Sequence, residues 1–372
     1  MKDVLGRRDF LKNGSKVVAG AAGAGFFGLG KAKEMKKVIK NPAEGKLIWA
    51  NLVHLGYNMW SDRVLDSWTD DPNIIKNVVA HPYVRCDMSL WNDIAKRMSE
   101  VGMNMMVIDL GEAVKYKSHP ELAAEGAWDH KRMRMELNKL RDLGIEPIPK
   151  LNFSTGHDLW LKQYHRMVSS PKYYEVCKDI IDEVCEIFDA PRFFHMGYDE
   201  ETARNQRKFS YVVVRQHELW WHDFNFFVET VLKNKARPWI WSDFAWKNHE
   251  AFYEKMPHSV LQSNWYYGTD FHKYPDKFGK SEGEQHMATR IKTYVDLEKA
   301  GFDQVPTGSN FYYEDSENFL QTVDFCKEHI SAERLKGFMQ TPWLCTLETF
   351  RGQHMKAIDI VGKAISQCKA TS

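Results

Sequence analysis

From residue 46 onward the chain alternates, eight times over, a short β-branched or aromatic run with a segment whose apolar residues recur at i, i+3 and i+4. The runs predict strands over 47–55, 103–110, 146–153, 193–199, 238–243, 260–267, 305–311 and 337–343. The intervening segments predict helices over 90–101, 130–143, 173–188, 215–233, 250–256, 284–299, 318–329 and 350–366. Gly102, Gly144 and Gly301 stand where a left-handed helix terminus precedes the next strand. A doubly wound sheet is the alternative for such a pattern, but no G-x-G-x-x-G follows the first strand. The expectation is a single closed (β/α)8 barrel, an α/β fold, over residues 41–372.

The first 40 residues read differently. Arg7-Arg8-Asp9-Phe10-Leu11-Lys12 precede a Gly/Ala-rich run from Gly14 to Gly30, and a basic stretch from Lys31 to Lys40 follows. Five glycines between Gly20 and Gly30 would each weaken a core helix by about 1 kcal/mol relative to alanine. The segment resembles a twin-arginine export signal, which implies a periplasmic or envelope-associated domain. Leu29-Gly30-Lys31-Ala32 lacks a clean A-x-A site, so cleavage and retention as an N-terminal anchor both stay open. That anchor is the one membrane contact expected, because no later apolar run is long enough to span a bilayer.

Charge narrows the partners. The chain has 51 basic and 50 acidic side chains, net +1, and residues 1–40 hold ten Lys/Arg against three acids. The remainder therefore stands at −6, which argues against nucleic acid. The six cysteines include no C-x-x-C, and buried free thiols are expected.

In a barrel the chemistry gathers at the C-terminal ends of the strands. Polar and aromatic residues collect there, among them His54, Tyr57, Trp60, Asp109, Glu112, Asn152, His157, Asn264 and Asn310. In Phe193-Phe194-His195-Met196-Gly197-Tyr198-Asp199-Glu200, a period of two sends His195, Gly197 and Asp199 inward and Phe194, Met196 and Tyr198 toward the helices. Adjacent carboxylates in different environments can hold different protonation states, which suits glycoside chemistry.

"FFHMGYDE" resembles the H-x-G-G-D-E strand of the family 20 β-N-acetylhexosaminidases, and "IPKLNFSTGH" that family's third strand. "SHPELAAEGAW", "RPWIWSD", "SNWYYG", "SNFYYED" and "GFMQTPW" follow in collinear order, so the likeness covers most of residues 103–343. The resemblance implies a retaining hydrolase of terminal N-acetylhexosamines that needs neither metal nor organic cofactor. Glu200 would be the general acid, and Asp199 would orient the substrate's 2-acetamido group. Trp241, Trp265 and Trp343 would wall the sugar, with Asp243 and Tyr267 beside them. Tyr312 or Tyr313 would donate to the acetamido oxygen, and Asp315 would accept a sugar hydroxyl. His195 is expected to orient Asp199. His157 is either a loop brace or a supporting residue of the site, as Asn152 is expected to be. The chain departs from the family pattern at Lys150 and Asn152 on strand three and at Tyr198 on strand four.

Two rivals come from other classes. A metal-dependent barrel hydrolase or sugar isomerase would draw His54, Asp109, His157, His195 and Asp243 together. A carbohydrate-binding barrel without turnover would keep the aromatic cleft alone. The long stretch from Gly56 to Asp87, with Trp60, Asp62, Asp66, Trp68, Asp70 and Asp71, is expected to form a lid or outer sugar wall. On that reading, deleting residues 61–73 leaves folding intact and weakens substrate binding.

Overall fold

A computed structural model describes residues 43–64 and 71–370. The expected export signal, and Asp66, Trp68 and Asp70 of the long first loop, lie outside the described residues. Eight parallel strands form one sheet: β1 (Ile48–His54), β2 (Met105–Asp109), β3 (Glu146–Lys150), β4 (Phe193–His195), β5 (Arg237–Trp241), β6 (Leu261–Ser263), β7 (Thr307–Ser309) and β8 (Gly337–Thr341). β1 pairs with both β2 and β8. Between β6 and β7 the ring is closed by hydrogen bonds from Val305 N–H to Gln262 O (2.8 Å) and from Thr307 N–H to Asn264 O (3.0 Å). The fold is a (β/α)8 barrel.

The helices fall where the periodicity predicts them, within a few residues: α2 (Met88–Val101), α3 (His130–Asp142), α4 (Pro171–Ile187), α5 (His217–Lys233), α6 (His249–Lys255), α7 (Glu282–Lys299), α8 (Asn318–His329) and α9 (Arg351–Ala370). An additional short helix, α1 (Pro72–Val78), lies in the first loop and is capped by Asp71. Its surroundings are polar and aperiodic, so the sequence pattern does not announce it. Gly102, Gly144 and Gly301 all take positive φ, and Gly102 N–H closes the end of α2 on Met98 and Ser99 carbonyls. Among the described residues no helix is long and apolar enough to cross a membrane.

Alternation along the strands separates two cores. Ala50, Leu52, Met105, Val107, Ile148, Trp239, Leu261 and Met339 fill the barrel interior. Trp49, Val53, Met106, Ile108, Ile240 and Phe338 face the helices, where Trp220, Trp221, Phe224, Phe227 and Val228 of α5 also pack. Burying each such side chain stabilises the fold by about 1.5–3 kcal/mol before entropy is counted.

Above this apolar filling runs a polar row. Strand register sets His54 beside Asp109, Asp109 beside Lys150, and Lys150 beside His195, all buried. Lys150 donates to Asp109, whose Oδ2 is also 3.5 Å from His54 Nδ1. Burial alone would push the Asp109 carboxyl up, but Lys150 and His54 outweigh it and hold it below the usual range. This row forms the floor on which the strand-end residues stand. Cys86, Cys177, Cys185, Cys326 and Cys345 are free thiols, four of them buried and Cys86 half-buried.

Candidate active site

β4 stops at His195, earlier than the expected 193–199, because the chain turns through positive φ at Gly197 (+67°), Tyr198 (+74°) and Glu200 (+55°). A Cβ at Gly197 would lie 2.2 Å from the Asn152 carboxamide carbon, so only glycine fits this bend. Tyr198 is thereby thrown outward against Trp220, Phe224 and Phe227. Asp199 and Glu200 are delivered to the strand-end face.

Asn152 organises this turn. Its Nδ2 donates to Asp199 Oδ1 (2.8 Å), while its Oδ1 accepts from Ser154 N–H (3.0 Å) and Tyr198 N–H (3.2 Å). Ser154 hydroxyl donates to the Asp199 carbonyl. His195 does not orient Asp199, contrary to expectation. Its Nδ1 accepts from Gly197 N–H at 3.0 Å and its ring lies between Trp239 and Trp241, so it braces the bend from below. Burial, and then Lys150, push its pKa well down, and the ring stays neutral.

His157 is buried and stands between the two carboxylates, with Nε2 3.5 Å from Asp199 Oδ2 and 3.5 Å from Glu200 Oε2. Its ring meets Trp60 edge-on at 5.0 Å. Of its two expected roles, it therefore takes the one beside the carboxylates. Burial works to raise the Glu200 carboxyl, but His157, Lys208 and Arg290 together hold it below the ordinary glutamate value. The carboxyl driven the other way is Asp243. Burial first, and then Asp199, keep it well above the usual range, and its Oδ2 accepts from Glu200 N–H at 2.9 Å. The third acid of the run, Glu201, turns away to pair with buried Arg215 at 2.6 Å.

A cavity of about 610 Å³, within the size range of small-molecule sites, opens over Asp199 and Glu200. Trp60, Trp265, Tyr267, Phe311, Tyr312 and Trp343 line it, Trp60 meeting Trp343 edge-on at 6.0 Å. Trp265 stacks on Tyr267 at 5.0 Å, and Trp343 Nε1 donates to the Tyr267 hydroxyl at 2.9 Å. Tyr267 is kept protonated chiefly by burial, so its own O–H remains a donor. Trp343 itself has positive φ (+54°), and its carbonyl is held by the Tyr57 hydroxyl at 2.8 Å.

Four expected site residues fall off the cavity wall, and Asp243, on the Glu200 backbone, is the first of them. Trp241 is buried beneath the cavity, 5.5 Å from Trp343, and supports the wall from behind. Tyr313 is 76% exposed and does not line the cavity. Asp315 points to solvent and pairs with Lys356. Both lie on the turn after β7, which carries them past the rim. The residues the rival metal reading would need are dispersed: His54 and Asp109 belong to the polar floor, His195 to the tryptophans, and His157 to the carboxylates. Among the described residues no three His, Cys, Asp or Glu are grouped to hold a metal ion.

Sequence reasoning missed the cations of the cavity, Arg63, Arg204, Arg207 and Lys208. The signal was the run Arg204-Asn205-Gln206-Arg207-Lys208, placed in an aperiodic stretch directly after the acidic pair.

No protein-family model matches the chain, and no curated protein matches it. Solved structures do. The chitobiase of Flavobacterium johnsoniae is 18% identical with a TM-score of 0.50, over 74% of this chain and 48% of that one. Dispersin B is 15% identical, TM-score 0.51, over 75% of this chain and 95% of that one. A family 20 exo-β-N-acetylglucosaminidase from Vibrio harveyi, in complex with N-acetylglucosamine, is 11% identical, TM-score 0.53, over 87% and 57%. The likeness is one of fold. The chain spans about half the length of the Flavobacterium and Vibrio enzymes it matches.

Proposed function

We propose that this chain is a β-N-acetylhexosaminidase-like glycoside hydrolase that retains anomeric configuration through assistance from its substrate. One observation carries the reading: Asp199, fixed by Asn152, and Glu200 share one cavity with Trp265, Tyr267 and Trp343. The acetamido carbonyl oxygen attacks the anomeric carbon as the glycosidic bond breaks, and Glu200 gives its proton to the departing oxygen. Asp199 accepts from the acetamido N–H and offsets the positive charge of the oxazolinium ring. Tyr267 donates to the acetamido oxygen, a role the resemblance gave to Tyr312 or Tyr313, of which Tyr312 also lines the cavity. Glu200 then takes a proton from the water that opens the ring, so no enzyme nucleophile is required. The similar solved structures of an exo-β-N-acetylglucosaminidase and a chitobiase support this assignment.

The test compares a chromogenic N-acetyl-β-glucosaminide and its galactosaminide with their non-acetylated counterparts. Turnover confined to acetylated sugars is expected, with Glu200→Gln and Asp199→Asn each lowering kcat by about 10²–10⁴-fold. Equal turnover of the non-acetylated sugar would sink substrate assistance. One observation favours a second reading, a binding barrel without turnover: the resting Glu200 is biased toward its ionised form. Binding of N-acetylglucosamine without hydrolysis at any pH is its signature.

We also infer export by the twin-arginine route, supported by Arg7-Arg8 and the Gly/Ala-rich run that follows. Replacing both arginines with lysine should hold a reporter fusion inside the cell; unimpeded export would reject the route.

A further inference from the structure

We propose that the glycan seated over Asp199 and Glu200 carries an anionic group, a sulfate ester or a uronate carboxylate, that is bound by Arg63, Arg204 and Arg207. This rests on the hydrolase reading above and names the substrate class within it.

The three guanidiniums line the same cavity as the carboxylates and are exposed on its rim. Two loops bring them there. Ser61 hydroxyl donates to Lys208 O (2.7 Å), Ser210 N–H donates to Asp62 Oδ1 (2.8 Å), and Arg63 Nη2 donates to Arg207 O (3.1 Å), lacing the loop after β1 to the loop after β4. Arg207 Nε in turn donates to Arg204 O at 3.1 Å. Arg63 thus holds the backbone of Arg207, and Arg207 that of Arg204. Among the described residues, no carboxylate pairs with Arg63, Arg204 or Arg207. The nearby acids have other work: Asp62 is bonded to Ser210, and Glu201 is closed onto Arg215.

Balancing the two catalytic carboxylates does not account for the cluster. Lys208, which reaches over the Trp60 ring at 5.1 Å, and Arg290 act on Glu200 more strongly than these three arginines do. Three further guanidiniums on one rim sum to a positive potential that an anionic ligand would enter favourably. The setting sharpens the point, since residues 41–372 are acidic overall and a positive rim is a local departure. Guanidinium forks match the planar or tetrahedral oxygens of carboxylate and sulfate, and they give such groups charge-assisted hydrogen bonds. A neutral sugar could accept hydrogen bonds from them, but only an anion would also gain the charge pairing.

The experiment measures kcat/KM at low salt for a chromogenic N-acetyl-β-glucosaminide, for its 6-sulfated form, and for a disaccharide with N-acetylglucosamine β-linked to glucuronic acid beside its glucose counterpart. At least one charged substrate should exceed its neutral match by about tenfold or more. The excess should shrink toward one in about 0.5 M salt and in the Arg204→Gln/Arg207→Gln variant. The two arms separate a sulfate on the terminal sugar from a carboxylate on its neighbour. Parity between charged and neutral members of both pairs overturns the proposal, as does an excess that survives in the folded double variant. If no sugar is turned over, the hydrolase reading has failed instead. Calorimetric binding of the same pairs then decides on the rim, with preference for the charged member upholding it and equal affinity rejecting it.

Discussion

At the scale of single residues, the site depends on a few groups forced into unusual states. Gly197 is one: alanine there would meet Asn152 at 2.2 Å and keep a positive φ. Gly197→Ala should destabilise the fold by about 1–3 kcal/mol and displace Asp199, so that chemical denaturation and kcat fall together. Asp243 is another. Its folded pKa lies above the unfolded one, so the folded state holds a proton that the unfolded chain releases. The resulting penalty appears as pH rises through the unfolded range and is complete above the folded pKa. Asp243→Asn keeps an acceptor for Glu200 N–H and removes the charge. Its Tm should exceed that of the wild type at pH 7 and match it near pH 3; a lower Tm at pH 7 would refute the assignment. His157 sets the complementary sign. It helps hold Glu200 down, so His157→Gln should lift Glu200's pKa and move the alkaline limb of kcat/KM to higher pH. An unmoved limb would mean that Glu200 is not the acid.

At the scale of elements, the loop after β4 is anchored by one buried guanidinium. Arg215 donates to both Glu201 carboxylate oxygens (2.9 and 2.6 Å), to Phe153 O (2.7 Å) and to Asp223 (3.3 Å). Arg215→Ala strands two buried carboxylates and should cost about 3–5 kcal/mol, read as a drop in the denaturation midpoint. The same lacing corrects the expectation for the first loop. Ser61 is buried, its carbonyl accepts from Ala80 N–H at 2.8 Å, and its hydroxyl holds Lys208 O, so removing residues 61–73 unpicks the barrel rim as well as any outer wall. The strands and helices were legible because burial on a sheet or helix imposes a period. The end of β4 was legible in part: Asp199 and Tyr198 point as a period of two requires, yet they do so through a positive-φ turn. Tyr313 and Asp315 were named by resemblance, and a turn of different course leaves them outside. The cationic rim had no period to betray it, because Arg63 and Arg207 meet across 144 residues of sequence.

At the scale of the whole molecule, catalysis and stability pull in opposite directions on the pH axis. The proposed acid must enter the cycle protonated, yet Glu200 is held below the ordinary glutamate value in the empty site. Turnover by free enzyme should therefore rise as pH falls toward the carboxylate range. The barrel resists that move. His54 and His195 are buried with lowered pKa, chiefly through desolvation, and burial brings His354 down to about 4. Each of these imidazoles is neutral in the fold and takes up a proton more readily once unfolded. Stability is therefore full above the unfolded histidine range and is lost as pH falls toward the folded values. For His354 alone the loss by pH 4 is roughly 3 kcal/mol. Asp109 adds to it lower down: its folded pKa is depressed, so its contribution disappears as pH drops through that value. Between pH 6.5 and 4 the three imidazoles should lower Tm, against a smaller gain as Asp243 is relieved of its penalty, while kcat/KM climbs across the same interval until unfolding truncates it. His354→Gln, at a buried α9 residue whose Nε2 meets the Cys345 carbonyl at 3.1 Å and which does not line the cavity, separates the two effects. It should flatten the acid limb of Tm and leave the pH dependence of kcat/KM in place, and a shift in the latter would show that the rate profile reports unfolding instead of Glu200.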